Sequence, residues 1–286
     1  LLIGYKIVEV ASSSWRNQGN VLTPLVPAFS DDLYKKSQLR PIVQKKSLFL
    51  ARWESSSLNS SHEWWQVLQD RFIPIEDLSA NTRSKVRRGL RGFRFRLLSR
   101  DTIIKHGYPV YSRAFERYET HERCFTEKQF REAVQNRTGR SEFFGAVDEK
   151  TGELAAFSEN IVDRNRCFYN TIWFSPSALK QYVSYGMFYQ MSEYYLKDRG
   201  LRYISDGSRN ISHKTNIHQL LIDKFGFQKT YCRLNVLYHP FIGIAVKILY
   251  PFRVKFSSIE GGTAKKISVL LELERIRRSF IGSGKF

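Results

Sequence analysis

The stretch from Cys167 to Gly200 constrains the fold more than any other part of the chain. Cys167 to Phe174 is aromatic and β-branched, which favours a strand. Met187 to Arg199 carries Met187, Phe188, Met191, Tyr194 and Tyr195 at helical offsets, with Lys197 and Arg199 before a stop at Gly200. Between them lies the run Gln181-Tyr182-Val183-Ser184-Tyr185-Gly186. A strand, a short turn of small residues and a helix leave unpaired backbone N–H groups at the helix start, and these can hold a pyrophosphate. The plain alternative is an ordinary βαβ unit in which Gly186 permits close helix–strand packing.

The following residues extend the pattern. Tyr203-Ile204-Ser205-Asp206-Gly207 reads as a short strand, Ser208 to Lys214 as a polar loop, and Thr215 to Lys224 as a helix ending in Phe225-Gly226-Phe227. A further strand is predicted from Gln228 to Tyr238. This order, over roughly residues 141–240, resembles the conserved half of the GNAT N-acyltransferase superfamily. In that family the turn reads Arg or Gln, two residues, Gly, one residue, then Gly or Ala. Gln181, Ser184 and Gly186 take those positions here, with Ser in place of the first Gly. The implied fold class is α/β (mixed α+β), with a central, mostly antiparallel sheet flanked by helices.

A second landmark is the basic stretch from Leu78 to Arg100, which has eight basic residues and no acidic one. Ser79 or Asn81 can cap a helix there, and Arg83, Arg87 and Arg91 recur every four residues on one face. With the strand Phe93 to Leu98, this element is similar to one in the FemAB-like and cellulose-biosynthesis-type branches of the superfamily. The three arginines are candidate contacts for a phosphorylated acceptor or tRNA. A solvated basic face is the plainer reading.

The resemblance implies attack of an amine on the thioester carbonyl of an acyl-coenzyme A. The amides of Ser184, Tyr185, Gly186 and Met187, beside Gln181, would serve the pyrophosphate. Backbone N–H groups of Ile172, Trp173 and Phe174 would serve the oxyanion and the pantetheine arm. Members of the family often carry a tyrosine near the end of the second conserved helix as general acid. Counting back from Gly226-Phe227, that position is Ile222, so Tyr185, Tyr231 or water would have to substitute. For the base, Glu159 shares its strand parity with Ala155, Phe157 and Ile161, so it points to an apolar face where a carboxylate pKa rises. A structural ion pair, for example with Arg166, is the alternative. Asp206 and His213 stand in reserve.

Composition sets wider limits. The 286 residues include 21 Phe and 15 Tyr, enough aromatic bulk for a substantial core. The net charge of +19 attracts anions generally: coenzyme A, nucleotide-sugars, nucleic acid or an anionic bilayer. Cys124, Cys167 and Cys232 are odd in number and far apart, and the histidines show no ligand spacing, so we expect no disulfide framework, no metal and a cytoplasmic location.

Pro240 to Phe256 is apolar but interrupted by Lys247, Pro251, Arg253 and Lys255, so no transmembrane segment is expected. It reads as a packing helix or as a surface helix touching anionic lipid. Residues 1 to about 60 read as irregular and strand-rich, with Pro24, Pro27 and Pro41 limiting element length. Thr102 to about Arg137 reads as helical, with a stripe of Tyr108, Tyr111, Phe115 and Tyr118. A meander covers Glu142 to Phe174, and Ile267 to Phe280 a short helix. We divide the chain into a strand-rich half with a basic helix (1–100), a GNAT-like core (101–240) and a helical extension (241–286). The expected activity is N-acylation of an amino sugar or nucleotide-linked precursor from acyl-coenzyme A. The alternatives are FemAB-like transfer from aminoacyl-tRNA, and an inactive GNAT-fold module binding nucleic acid or an anionic surface, to which Ile222 and Ser184 point.

Overall fold

A computed structural model describes residues 5–10, 13–25, 34–45, 48–55, 63–117, 123–137, 139–211, 216–257 and 262–280. The elements begin with β1 (Lys6–Val10), β2 (Ser13–Gln18), β3 (Val21–Pro24), α1 (Lys36–Lys45), β4 (Leu50–Ser55) and β5 (Trp65–Gln69). Next come α2 (Ala80–Gly92), β6 (Phe93–Leu98), α3 (Arg100–Phe115), α4 (Glu127–Gln135), β7 (Ser141–Asp148), β8 (Leu154–Asp163) and β9 (Arg166–Phe174). Then α5 (Pro176–Leu179), α6 (Val183–Ser192), β10 (Tyr203–Ser208), α7 (Ile217–Phe225), β11 (Gln228–Tyr231) and β12 (Arg233–Tyr238) follow. The chain closes with α8 (Pro240–Leu249), α9 (Arg253–Ser257) and α10 (Gly262–Ser279).

Two compact units are present, one of Leu68–Asp206 with Ile217–Gln228, the other of Tyr5–Val67, Gly207–Asn216 and Lys229–Phe286. Among the described residues the strands form a five-stranded sheet, β1-β2-β3-β4-β12, and a seven-stranded one, β11-β5-β10-β9-β8-β7-β6. Strands β6 to β9 are an antiparallel meander, and β10 joins β9 in parallel. The fold is thus mixed α+β with helices flanking the strands, as the resemblance implied, although the strands form two sheets where one central sheet was expected.

In the first unit, α3 and α4 cover one face of the meander. Ile103, Val110, Tyr111 and Phe130 pack there on Phe143, Phe157 and Trp173. The expected single helical region is two helices, because Thr126 starts a new one: its hydroxyl accepts from the Gln129 amide and the Gln129 side chain returns to the Thr126 amide. Tyr118 lies outside the described residues. The helix after β9 begins at Val183, four residues before the expected Met187, and widens to a π-helical turn over Glu193–Asp198 before Gly200 (φ 62°) ends it.

The second unit corrects three expectations. The first sixty residues include a regular helix, α1, which keeps Pro41 inside because Leu39 and Val43, four apart, are both buried. The predicted strand from Gln228 to Tyr238 is two strands in different sheets, interrupted at the buried Cys232. The packing-helix reading of Pro240 to Phe256 fails too, since Val246 is the one residue of α8 that is buried. The C-terminal helix α10 reaches back to Gly262 and seats Leu273 and Ile276 beside Leu50, Trp64 and Leu234.

Candidate functional site

Strand β9 positions the site. Its pairing with β8 shifts between Glu159 and Asn160, so Glu159 faces Thr171 while Asn160 faces Tyr169, leaving Asn170 as a bulge. A one-residue bulge exchanges the two faces of a strand. Tyr169 therefore meets Phe188 of α6, at 6.5 Å between ring centroids, whereas Trp173 meets Tyr111 of α3, at 4.8 Å. On the other edge, the parallel pairing of β9 with β10 covers Arg166 to Phe168 and stops at Ser205. Beyond that point β9 runs on through Ile172, Trp173 and Phe174, which pair with Ser158, Phe157 and Ala156 of β8. These are the residues expected to offer backbone N–H groups to the oxyanion and the pantetheine arm.

At the end of β9 the chain turns through α5, and α6 starts on Tyr182, held in the left-handed region at φ 63°, ψ 28°. A tyrosine there is costly unless its surroundings impose it. The imposition comes from α2. A β-carbon on Gly89 would lie 2.6 Å from the Tyr182 carbonyl oxygen and 3.0 Å from the Gly186 nitrogen. One on Gly186 would lie 2.5 Å from the Phe95 ring. The two glycines thus let α2 and α6 touch backbone to backbone, so the close approach at Gly186 is to protein, as the packing alternative held. The Tyr185 and Gly186 amides donate to the Tyr182 carbonyl, at 3.1 and 3.2 Å. The preceding amides, of Val183 and Ser184, are the ones a helix start leaves without an intrahelical acceptor. Gly89→Ala should lower stability by roughly 1–3 kcal/mol. Alanine alone would add about 1 kcal/mol of helix propensity, so a raised urea midpoint would show that the two helices do not meet there.

The same crossing brings cations to the helix start. The Lys85 ammonium lies 5.2 Å from the Tyr185 ring and 5.9 Å from that of Tyr182, and the Arg88 guanidinium 5.7 Å from Tyr182. Neither forms an ion pair among the described residues. The α2 face next to α6 is therefore Lys85-Arg88-Gly89, at spacings of three and four. Arg83, Arg87 and Arg91 lie elsewhere on that helix: Arg83 donates to the Glu76 carbonyl at 2.8 Å, and Arg87 and Arg91 are exposed.

Where β10 leaves β9, Asp206 meets His218 on α7. The His218 Nε2 lies 3.2 Å from the carboxylate and 3.4 Å from the Asp206 carbonyl oxygen, and both side chains are 10% exposed. Burial raises the Asp206 pKa, with the hydrogen bond and charge of His218 pulling it back down. With Asp206 ionised, both partners of Nε2 are acceptors, so Nε2 carries the proton. Tyr169 borders the same fork, and burial pushes its hydroxyl well above the usual tyrosine range. Tyr169, Phe174, Phe188, Phe225 and Phe227 pack between β9, α6 and α7.

Glu159, the first candidate base, is buried as expected but fully engaged. Its carboxylate lies 3.0 Å from the Arg137 Nε and accepts from the Ser141 hydroxyl at 2.9 Å and the Asn170 amide at 3.0 Å. The ion-pair alternative holds with a different partner, because Arg166 faces Asp163 instead. Glu159 fastens the Asn170 bulge that sets the two faces of β9.

Of the remaining candidates, Met187 is buried, Gln181 is exposed, Ser184 is half-buried, and Tyr185 rests on Phe225 at 5.8 Å. Ile222 is half-buried on α7, so no tyrosine occupies that position. Tyr231 is exposed on β11, in the second unit. His213 lies outside the described residues. Sequence reasoning missed Lys85, Arg88, Tyr182 and His218. For His218 the available signal was its place in the first turn of the helix following the Asp206 strand. Among the described residues no group of three or more His, Cys, Asp or Glu side chains could hold a metal ion.

No protein-family model and no curated protein matches the sequence. Solved structures do. FemX is similar at a TM-score of 0.53 and 9% identity, over 87% of this chain and 90% of that one. The C-terminal domain of an Agrobacterium fabrum protein assigned as a lysylphosphatidylglycerol synthetase gives 0.52 and 13%, over 86% and 89%. A tandem GNAT protein from the clavulanic acid biosynthesis pathway gives 0.45 and 11%, over 79% and 78%. The likenesses to FemX and to the Agrobacterium fabrum domain show the fold, which is the one found in those two structures.

Proposed function

We propose that this protein transfers an acyl group from acyl-coenzyme A to a primary amine. The observation that carries the reading is the desolvated Asp206–His218 pair, set just past the paired residues of β9 and β10. The coenzyme would bring an acyl thioester, a carbonyl already activated toward amines. Its diphosphate suits the Val183 and Ser184 amides with Lys85 and Arg88, where helix start and side-chain charge coincide. The end of β9, from Ile172 to Phe174, would receive the pantetheine arm. An amine acceptor enters as an ammonium ion, and Asp206 takes its proton, the step a carboxylate of raised pKa performs well near neutral pH. Before that transfer the His218 Nε2–H holds the carboxylate in its ionised form. The free amine then attacks the thioester carbonyl, the C–S bond breaks, and coenzyme A leaves as a thiolate that takes up the second proton of the amine. An amino sugar or nucleotide-linked amine suits the basic surroundings.

A second reading is FemAB-like transfer from aminoacyl-tRNA. It is favoured by the exposed Arg87 and Arg91, which have no ion-pair partner among the described residues. Melting curves at fixed salt distinguish the two. A donor present at 100 times its dissociation constant should add about 2.7 kcal/mol. Acetyl- or longer acyl-coenzyme A should stabilise the parent, and Lys85→Gln/Arg88→Gln should weaken that binding ~10-fold or more, in line with two charge-assisted contacts. Stabilisation by aminoacyl-tRNA alone, with a salt slope made shallower by Arg87→Gln/Arg91→Gln, would transfer the donor role to tRNA. No shift with either donor defeats both.

A further inference from the structure

Helix α8 and the turn after it present apolar side chains to solvent. Phe241 is 77% exposed, Ile244 58%, Ile248 62%, Phe252 50% and Val254 70%. Phe241, Ile244, Ala245 and Ile248 fall at offsets of three, four and seven, so they share one face, while the buried Val246 anchors the opposite side. Isolated exposed hydrophobics are ordinary, but a continuous stripe of this kind marks an interaction surface. Its flanks are rich in cations. Between Asp223 and Glu260 the sequence holds no acidic residue, and Lys247, Arg253 and Lys255 lie in or next to the stripe. Tyr250 carries the Arg253 and Arg278 guanidinium groups over its ring, at 4.8 and 3.8 Å from the centroid.

We infer that this face docks on an anionic phospholipid bilayer. Ten residues of helix are far too short to span a membrane, and among the described residues no helix is long and apolar enough to do so. A short helix with one apolar face and cations at its border lies in the interface, its apolar side chains among the acyl chains and its cations at the headgroups. A protein partner with an apolar groove would cover the stripe as well, but it would have to supply acidic groups opposite Lys247, Arg253 and Lys255. An anionic bilayer presents both features as a continuous surface.

Flotation of the full chain with vesicles tests this. Binding to phosphatidylcholine vesicles that contain phosphatidylglycerol should exceed binding to phosphatidylcholine alone by ~10²-fold at low salt, as three surface cations imply. Phe241→Ser/Ile244→Ser/Ile248→Ser should abolish binding to both, and the exposure of all three sites lets the melting temperature verify that the fold survives. Lys247→Gln/Lys255→Gln should remove the preference for the anionic vesicles and its salt dependence. Equal, weak flotation of parent and triple-serine protein overturns the inference. So does a concentration-dependent dimer in sedimentation velocity that the serine variant dissolves, since the stripe would then be a self-association surface. Acyl-transfer rates without vesicles are independent of either result.

Discussion

Replacing Asp206 with asparagine should lower kcat by about 10²-fold or more while leaving the protein folded. The two effects separate because burial acts on Asp206 in opposite directions for stability and for chemistry. Its folded pKa is raised, mainly by desolvation and despite the hydrogen bond from His218. A carboxyl raised above its unfolded value of about 3.9 contributes stability below that pH and loses it as pH rises through the folded pKa. At neutral pH the ionised side chain is therefore a cost to the fold, and the asparagine variant should melt at the parent's temperature or above it. The rate runs the other way. A base must be ionised, so kcat/KM of the parent should climb as pH rises through the raised pKa, with its inflection above the usual carboxylate range. His218→Leu removes the hydrogen bond and charge that pull the Asp206 pKa down, so its acidic limb should move to higher pH. Asp206→Asn should lack that limb. A folded asparagine variant with full kcat and an unchanged limb would leave deprotonation to Tyr185 or water.

The sequence made the framework legible where local signals agreed. Cys167 to Phe174 is a strand because β-branched and aromatic residues fill both faces, and the meander turns at Gly152 (φ 71°) and Arg164 (φ 55°) lie where the turn residues stand. Helix α2 begins at Ser79 because its hydroxyl accepts from the Thr82 amide. What stayed hidden depended on long-range contact. Nothing local distinguishes a glycine that admits a phosphate from one that admits a neighbouring helix, and Gly186 is settled by Gly89 and Phe95, about ninety residues away. The periodicity of Arg83, Arg87 and Arg91 marks one face of α2, yet the face that meets α6 is read from Gly89. Strand parity placed Glu159 inside correctly, but it cannot supply a partner from another element, and Arg137 follows α4. Helix α1 escaped because Pro41 argued locally against it, whereas burial of Leu39 and Val43 decides in its favour.

Glu159→Gln should act on stability first and on chemistry only through the shape of β9. Glu159 and Arg137 are 3% and 4% exposed and lie 3.0 Å apart. Removing one member of such a pair leaves a buried charge without its counter-charge, which costs about 3–5 kcal/mol. Glutamine keeps one acceptor oxygen for the Asn170 amide and can donate its NH2 to the Ser141 hydroxyl, so the lower end applies, about 3 kcal/mol. That is a large fraction of a typical 5–15 kcal/mol total, and the urea midpoint should fall accordingly. The double variant Arg137→Met/Glu159→Gln should recover most of the loss, because it removes both charges and leaves packing volume in place of the guanidinium. Non-additivity of that sign is the mark of a pair. A loose Asn170 bulge would blur which side chains of β9 face α6, so kcat of the single variant should drop moderately and recover in the double one. The acidic limb assigned to Asp206 should persist throughout. A general base at Glu159 would behave in the reverse sense: near-parental stability, no recovery in the double variant, and a pH–rate profile without its acidic limb.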